Sequence, residues 1–283
     1  MNAAANARAA ADCGALFVAN HSGGKDSQAM LIRLLETVPR EQLVVVHAAL
    51  GEVEWPGALE HAQRQAHDSG LPFLVARAGI SLLEMVERRY SRRPDVPSWP
   101  SASTRQCTSD LKRGPIAREV RRFAKAHGFS AVVNCLGIRA AESPRRAMAA
   151  IWSENTRATT HRRQWFDWLP IHGLSTAEVF KTIRAAGQEP HPAYACGNER
   201  LSCVFCILGS AADARNGAVH HPELFARYVE IERRTGYTAH QSRRGLEEVA
   251  GITVEQARLL HAGDQLGVAG SPGGGQYGAT RRE

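Results

Sequence analysis

The chain has 283 residues, 43% of them hydrophobic, enough for one large domain or two small ones with a sizeable core. No apolar run approaches the ~20 residues that span a bilayer. The alanine-rich start, Met1 to Ala11, lacks the apolar segment of a secretory signal, so a cytoplasmic protein with a mobile N-terminus over residues 1–13 is expected, with no membrane partner. The net charge of +7 is concentrated: residues 87–125 hold eleven Lys/Arg against four Asp/Glu, and residues 139–163 six Arg against two Glu. Two readings fit that clustering. One is an anionic partner such as a nucleotide, a sulfonucleotide or a nucleic acid; the other is a solvated helical face at Arg118, Arg121, Arg122 and Lys125.

In chain order, residues 15–19 are an apolar run and read as a strand, followed by a glycine turn and an amphipathic helix through residues 30–35. A β-branched run at 43–47 predicts a second strand, 54–69 a helix, 72–76 a third strand, and 81–90 a helix capped by Ser81. Residues 91–106 are rich in Pro, Ser and Arg and read as a loop; 112–127 read as a helix and 131–136 as a strand. Strands alternating with helices imply an α/β fold, a doubly wound and mostly parallel sheet. Ligands of such sheets sit at the carboxyl ends of the strands. The expected organisation is an α/β domain over 14–189, a cysteine-rich loop with a helical extension over 190–262, and a glycine-rich disordered tail over 263–283.

The turn after the first strand reads Ser22-Gly23-Gly24-Lys25-Asp26-Ser27. Its glycines let backbone N–H groups close around an anion, the helix N-terminus adds partial positive charge, Lys25 adds a full one, and two hydroxyls add donors. The spacing is not that of a Walker loop, which needs four residues between its first glycine and Gly-Lys. It resembles the SxGKDS loop of the PP-loop ATP pyrophosphatases, and so implies ATP and Mg²⁺ bound there with cleavage between the α and β phosphates. Three further stretches resemble the phosphoadenosine phosphosulfate (PAPS) reductase family. Arg105 to Pro115 is similar to its Cys-then-Lys-then-Pro stretch. Gly137-Ile138-Arg139-Ala140-Ala141-Glu142-Ser143-Pro144-Arg145 resembles its G-x-R-x-x-E-S-x-R segment. His191-Pro192-Ala193-Tyr194 runs into Cys196, Cys203 and Cys206. Trp165 to Ile171 resembles the family's W-x-P strand leading into a helix from Ser175.

The resemblance implies catalytic roles for Lys25, Asp26 and Arg139. It implies nucleotide contacts from Ser22, Gly23, Gly24, Lys25, Asp26, Ser27, Gly137, Arg139, Glu142 and Arg145. Arg139, Arg145 and Arg146 could hold phosphate or sulfate oxygens through their planar forks, or form a surface ion-pair array at helical spacing. Glu142 could orient an arginine or help hold Mg²⁺. Lys112 could reach the nucleotide or cap a helix, and His21 could touch a phosphate or face solvent. Gly51 and Glu52 sit where such folds bind the adenosine.

Six cysteines in a chain expected in the cytoplasm disfavour structural disulfides. Cys203-x-x-Cys206 has metal-ligand spacing, with Cys196 seven residues earlier and Cys107 available from afar; four thiolates suit a [4Fe–4S] cluster or tetrahedral Zn²⁺. Resemblance to the Dnd- and Ssp-type DNA-phosphorothioation sulfurtransferases favours the cluster. Cys13 and Cys135 read as core cysteines. The implied activity is an ATP pyrophosphatase that adenylates an acceptor for sulfur incorporation, with a nucleic-acid substrate, a sulfur donor such as a cysteine desulfurase, and other subunits of a modification system as partners. Alternatives are sulfonucleotide reduction, tRNA thiolation, or a nucleotide-binding subunit without turnover. The thioredoxin-dependent reductases use a cysteine in a C-terminal Glu-Cys-Gly stretch, and no cysteine follows Cys206 here.

Overall fold

A computed structural model describes residues 2–269. In chain order the elements are α1 (Ala3–Asp12), β1 (Leu16–Asn20), α2 (Lys25–Thr37), β2 (Leu43–Ala49), α3 (Ala58–Asp68), β3 (Phe73–Arg77), α4 (Leu82–Arg92), α5 (Gln106–Thr108), α6 (Gly114–Ala126), β4 (Ala131–Cys135), α7 (Pro144–Ala147), β5 (Trp152–Glu154), β6 (Gln164–Trp168), α8 (Thr176–Ala185), α9 (Ala211–His220), α10 (Pro222–Thr235), α11 (Leu246–Ala250) and α12 (Val254–Ala269). The strands form one sheet in the order β3-β2-β1-β4-β6-β5. All neighbours are parallel except β5, which runs antiparallel to β6. The expected doubly wound, mostly parallel α/β sheet with a helical C-terminal region is therefore the architecture.

Strand β1 explains why the sheet is covered on both faces. Leu16 and Val18 pack with Val44, Val46 and Val132 against Val120 and Ala124 of α6. Phe17 and Ala19 point the other way, onto Met30, Leu31 and Leu34 of α2. Strands buried on both faces read as continuous apolar runs. Helices α4 and α8 open with the capping boxes Ser81/Glu84 and Ser175/Glu178, each satisfying two otherwise orphaned donors.

Several expectations are corrected. The N-terminal stretch is a helix: Asn2 caps α1 by accepting the Ala5 N–H at 2.9 Å, and Ala7 and Ala11 are buried against the α2 face of the sheet. An all-alanine face packs closely yet shows no apolar contrast in the sequence, so its periodicity is invisible there. Cys13, at the end of α1, is exposed, whereas Cys135 is buried as expected. The helix expected from residue 112 starts at Gly114, after a π turn over Ser109–Arg113. Helix α12 continues to Ala269, so residues 263–269 are helical; the disorder expected for 270–283 lies outside the described residues. The C-terminal helices share one core with the first domain. Phe225, Tyr228 and Ile231 pack with Leu82, Leu83 and Val86 of α4 and with Trp99, which is buried inside the stretch expected to be a plain loop. No described helix is long and apolar enough to cross a membrane.

Candidate functional site

The sheet reverses its winding between β1 and β4, and the loops after these two strands meet there. The first is residues 21–24. Gly23 has φ +78, and a Cβ on it would fall 2.7 Å from the Ala58 carbonyl oxygen, so only glycine fits. Gly24 is the N-cap of α2 and has no side chain to cap it, so the first N–H groups of the helix must be met from elsewhere. The Ser27 hydroxyl donates to the Gly24 carbonyl at 2.8 Å and accepts the Ser22 N–H at 3.2 Å. The serines thus hold the loop in shape.

His21 is neither exposed nor set to touch a phosphate. It is buried, and its Nδ1 accepts the Gly23 N–H at 3.1 Å. That bond requires the neutral ring with its proton on Nε2. Burial pushes His21 down to about 3, reinforced by the neighbouring charges of His61 and His47 and opposed by Gln65.

The second loop brings Arg139. Gly137 lets the backbones meet: a Cβ there would sit 3.2 Å from the Asp26 carbonyl and the Ser27 nitrogen. Arg139 is only 3% exposed; its Nε donates to Asp26 Oδ1 at 2.6 Å and its guanidinium to the Leu174 carbonyl at 3.2 Å. Asp26 also lies 3.4 Å from Lys25 Nζ. Glu142 accepts the Arg139 N–H at 2.9 Å and pairs with Arg146 and Arg200. Its burial alone would raise its carboxyl, but the Arg139 N–H and the two arginines outweigh that and hold it below the usual range. Ser22, Gly23, Gly24, Lys25, Asp26, Ser27, Gly137, Arg139 and Glu142 are therefore one constellation. Arg145 is exposed, with no carboxylate partner among the described residues. Glu52 pairs with Arg227 on α10.

The cysteine-bearing loop, residues 191–206, lies across the phosphate loop. The Tyr194 hydroxyl accepts the Lys25 N–H at 2.9 Å, and Lys25 Nζ donates to the Glu199 carbonyl at 2.9 Å. The ammonium also stands 5.1 Å from the Tyr194 ring centroid. Burial drives the Tyr194 phenol well above its ordinary range.

Cys203, Cys206 and Cys107 lie close enough to Lys112 for their charges to bear on it. Burial pushes Cys203 up to about 12 and raises Cys107 as well. Burial works against the Lys112 ammonium, yet the sulfurs of Cys203, Cys206 and Cys107 and the Glu54 carboxylate raise it overall. Lys112 makes no side-chain hydrogen bond to a helix end or to the phosphate loop among the described residues, so neither expected role is seen. Cys196 is exposed. Among the described residues no group of three or more His, Cys, Asp or Glu side chains is arranged to hold a metal ion. The four cysteines do not form the expected centre in this structure.

Sequence reasoning missed a polar ladder beneath the site. Asn20 donates to Asn134 at 2.6 Å, Asn134 to Asp167 at 2.7 Å, and Asn155 to Asp167 at 3.0 Å, tying β1, β4 and β6 together. Polar residues inside β-branched runs were its only signal. Tyr194, Glu199 and Arg200 were missed because only the fold returns residues 191–206 to the first strand.

The sequence profile of the phosphoadenosine phosphosulfate reductase domain matches residues 17–208. An uncharacterized 37.8 kDa protein of Escherichia phage 186 is 26% identical over 302 residues, covering 90% of this chain and 89% of that protein. Among solved structures, the PAPS reductase of Candida auris in a phosphate complex covers 72% of this chain and 88% of its own, at 13% identity and a TM-score of 0.46. The FMN adenylyltransferase of Candida glabrata, solved with FAD and inorganic pyrophosphate, covers 68% of this chain and 55% of its own, at 12% identity and a TM-score of 0.41.

Proposed function

The chain belongs to the phosphoadenosine phosphosulfate reductase domain family, and from that premise we propose that it is an ATP pyrophosphatase that adenylates an acceptor for sulfur incorporation into nucleic acid, in the manner of the Dnd- and Ssp-type sulfurtransferases. One observation carries the reading: the Ser22–Ser27 loop, the α2 N-terminus and the buried Arg139 converge where the sheet changes direction. An acceptor oxygen attacks the α-phosphorus, and the bond to the bridging oxygen breaks to release pyrophosphate. Lys25, the loop amides and Arg139 neutralise the charge that gathers on the departing phosphates. Asp26 positions both cations, and Glu142 holds the Arg139 backbone. A sulfur species from a separate donor protein then displaces AMP, which leaves with the acceptor oxygen.

No step is routed through the expected metal or cluster. Asp26 pairs with Lys25 and Arg139, and Glu142 with Arg146 and Arg200, so Mg²⁺ would be held mainly by the ATP phosphates, where it would share in neutralising their charge. The cysteines do not fit a four-thiolate centre as they stand. The family match also supports a second ligand, a sulfonucleotide, whose sulfate and phosphates would use the same loop.

Exchange of labelled pyrophosphate into ATP tests the reading. With duplex DNA supplied as the acceptor, the protein should catalyse exchange, and Lys25→Ala should abolish it while the fold is retained. Retained exchange in that variant removes the phosphate-loop assignment. Binding of PAPS but not ATP, without exchange, favours the sulfonucleotide.

A further inference from the structure

Away from the nucleotide site, α6 and the β5–β6 hairpin form one basic surface. Arg121 of α6 lies over the Trp165 ring of β6, 5.6 Å from its centroid. Arg163 in the hairpin donates to the Phe129 carbonyl, just past α6, at 3.0 Å. Ala158 of the hairpin packs with Val120, Ala124 and Trp165. The helix and the hairpin are thus held edge to edge by a cation–π contact, an arginine–carbonyl hydrogen bond and apolar packing, none of them an ion pair.

The charges on this surface are poorly compensated. Glu119 binds both Arg118 and Arg122, which are 57% and 75% exposed. Arg121, Lys125, Arg157, Arg162 and Arg163 have no carboxylate within ion-pair distance among the described residues. Glu154 on β5 is the one other exposed carboxylate of these elements, and Asp167 of β6 is already engaged by Asn134 and Asn155. Like charges held together by apolar packing repel one another, and a polyanion relieves that repulsion.

The surface also says what kind of polyanion fits. Single strands are held by aromatic rings on which bases stack. Here the nearest indole, Trp165, is buried beneath Arg121 and offers no platform. Guanidinium and ammonium groups strung along a helix ~20 Å long suit a regular row of phosphates. We propose that α6 and the β5–β6 hairpin bind the phosphate backbone of duplex nucleic acid. This deepens the nucleic-acid part of the proposed function and requires nothing of the ATP chemistry.

The test is fluorescence anisotropy of the full chain with labelled duplex DNA of mixed sequence, without nucleotide, at salt concentrations from about 50 to about 200 mM. Five phosphate contacts predict a slope of log affinity against log salt of about −4.5. Lys125→Glu with Arg162→Glu, both solvent-facing, should make the slope shallower by about 2 and weaken low-salt binding at least about tenfold. Lys181→Glu with Arg184→Glu makes the same charge change on α8, which packs on α2 across the sheet, and should bind like the parent. Thermal midpoints close to the parent's establish that both variants fold.

Equal weakening by the two variants, or no salt-dependent binding, overturns the proposal. Tighter binding to single strands or to anionic vesicles than to duplex also overturns it. Duplex RNA bound with the same slope and the same variant response supports the surface and shifts the source of phosphates to RNA. Pyrophosphate exchange measured on the same preparations separates the two readings: absent exchange with intact duplex binding counts against the ATP reading alone.

Discussion

Lowering the pH from 7 to 5 should destabilise the fold through His21 by an amount that can be worked out. The ring is neutral when folded because burial holds it at about 3, whereas an unfolded histidine titrates near 6.5. The folded value is depressed, so the unfolded chain takes up the proton first as the pH falls. The contribution is fully present above 6.5 and is lost on descent towards about 3. At pH 5 the unfolded ring is almost fully protonated and the folded ring is not, which is a loss of about 2 kcal/mol relative to pH 7. That figure is set by the unfolded value and hardly changes if the folded one lies a unit higher. His61 and His221, each lowered to about 4 by burial, add in the same direction. His21 is therefore isolated by a difference: urea unfolding of the parent and of His21→Asn at both pH values. Asparagine keeps an acceptor near the position of Nδ1 and does not titrate. The parent should lose about 2 kcal/mol more than the variant between pH 7 and 5. Identical losses would refute the neutral, buried His21 and, with it, the bond that fixes Gly23.

Three further outcomes are expected. Gly23→Ala forces a left-handed residue, at about 1–2 kcal/mol, and an overlap with Ala58, at about 1–3 kcal/mol; urea unfolding should show a loss of about 2–5 kcal/mol, and a loss under about 0.5 kcal/mol would contradict the loop conformation. Tyr194→Phe removes the hydroxyl that competes for the Lys25 N–H, so ATP should bind about two- to tenfold more tightly by calorimetry, the worth of one neutral hydrogen bond; weaker binding would make that hydroxyl a nucleotide contact. Brief alkylation at pH 8 should label the exposed Cys196 well before Cys203, whose thiol stands at about 12. Protection of Cys196 together with about four irons per chain would show that the cysteines rearrange into a four-thiolate centre.

The glycine turn was legible because it is local: strand, turn and helix follow one another, and Gly23 takes the left-handed conformation a glycine allows, while Lys25 and Ser27 donate to the Glu199 and Gly24 carbonyls. Gly137 and Arg139 were legible because the loop after a parallel strand reaches the same edge of the sheet. The supports were hidden for the opposite reason. His21 looks like any histidine beside a loop until the burial beneath it is known. Tyr194 and Glu199 reach Lys25 across about 170 positions of sequence, and no spacing rule spans that distance. Short β5 escaped notice because three residues, Trp152–Glu154, are too few for an alternating pattern. The cysteine spacing was real, but spacing places ligands only along a chain, and here Cys196 is exposed and the four thiols form no metal-holding group among the described residues.

The Tyr194 and Glu199 contacts make the phosphate loop a shared possession. An anion that takes the Lys25 N–H and ammonium must first release residues 194–199, so ligand entry and movement of the cysteine loop are one equilibrium. Such a linkage runs equally in both directions. A protein that gripped the released loop around Cys196 would tighten nucleotide binding by the same factor by which nucleotide tightened its own grip. A sulfur donor docking there would then meet this chain most firmly when ATP is already in place, with no contact between donor and nucleotide.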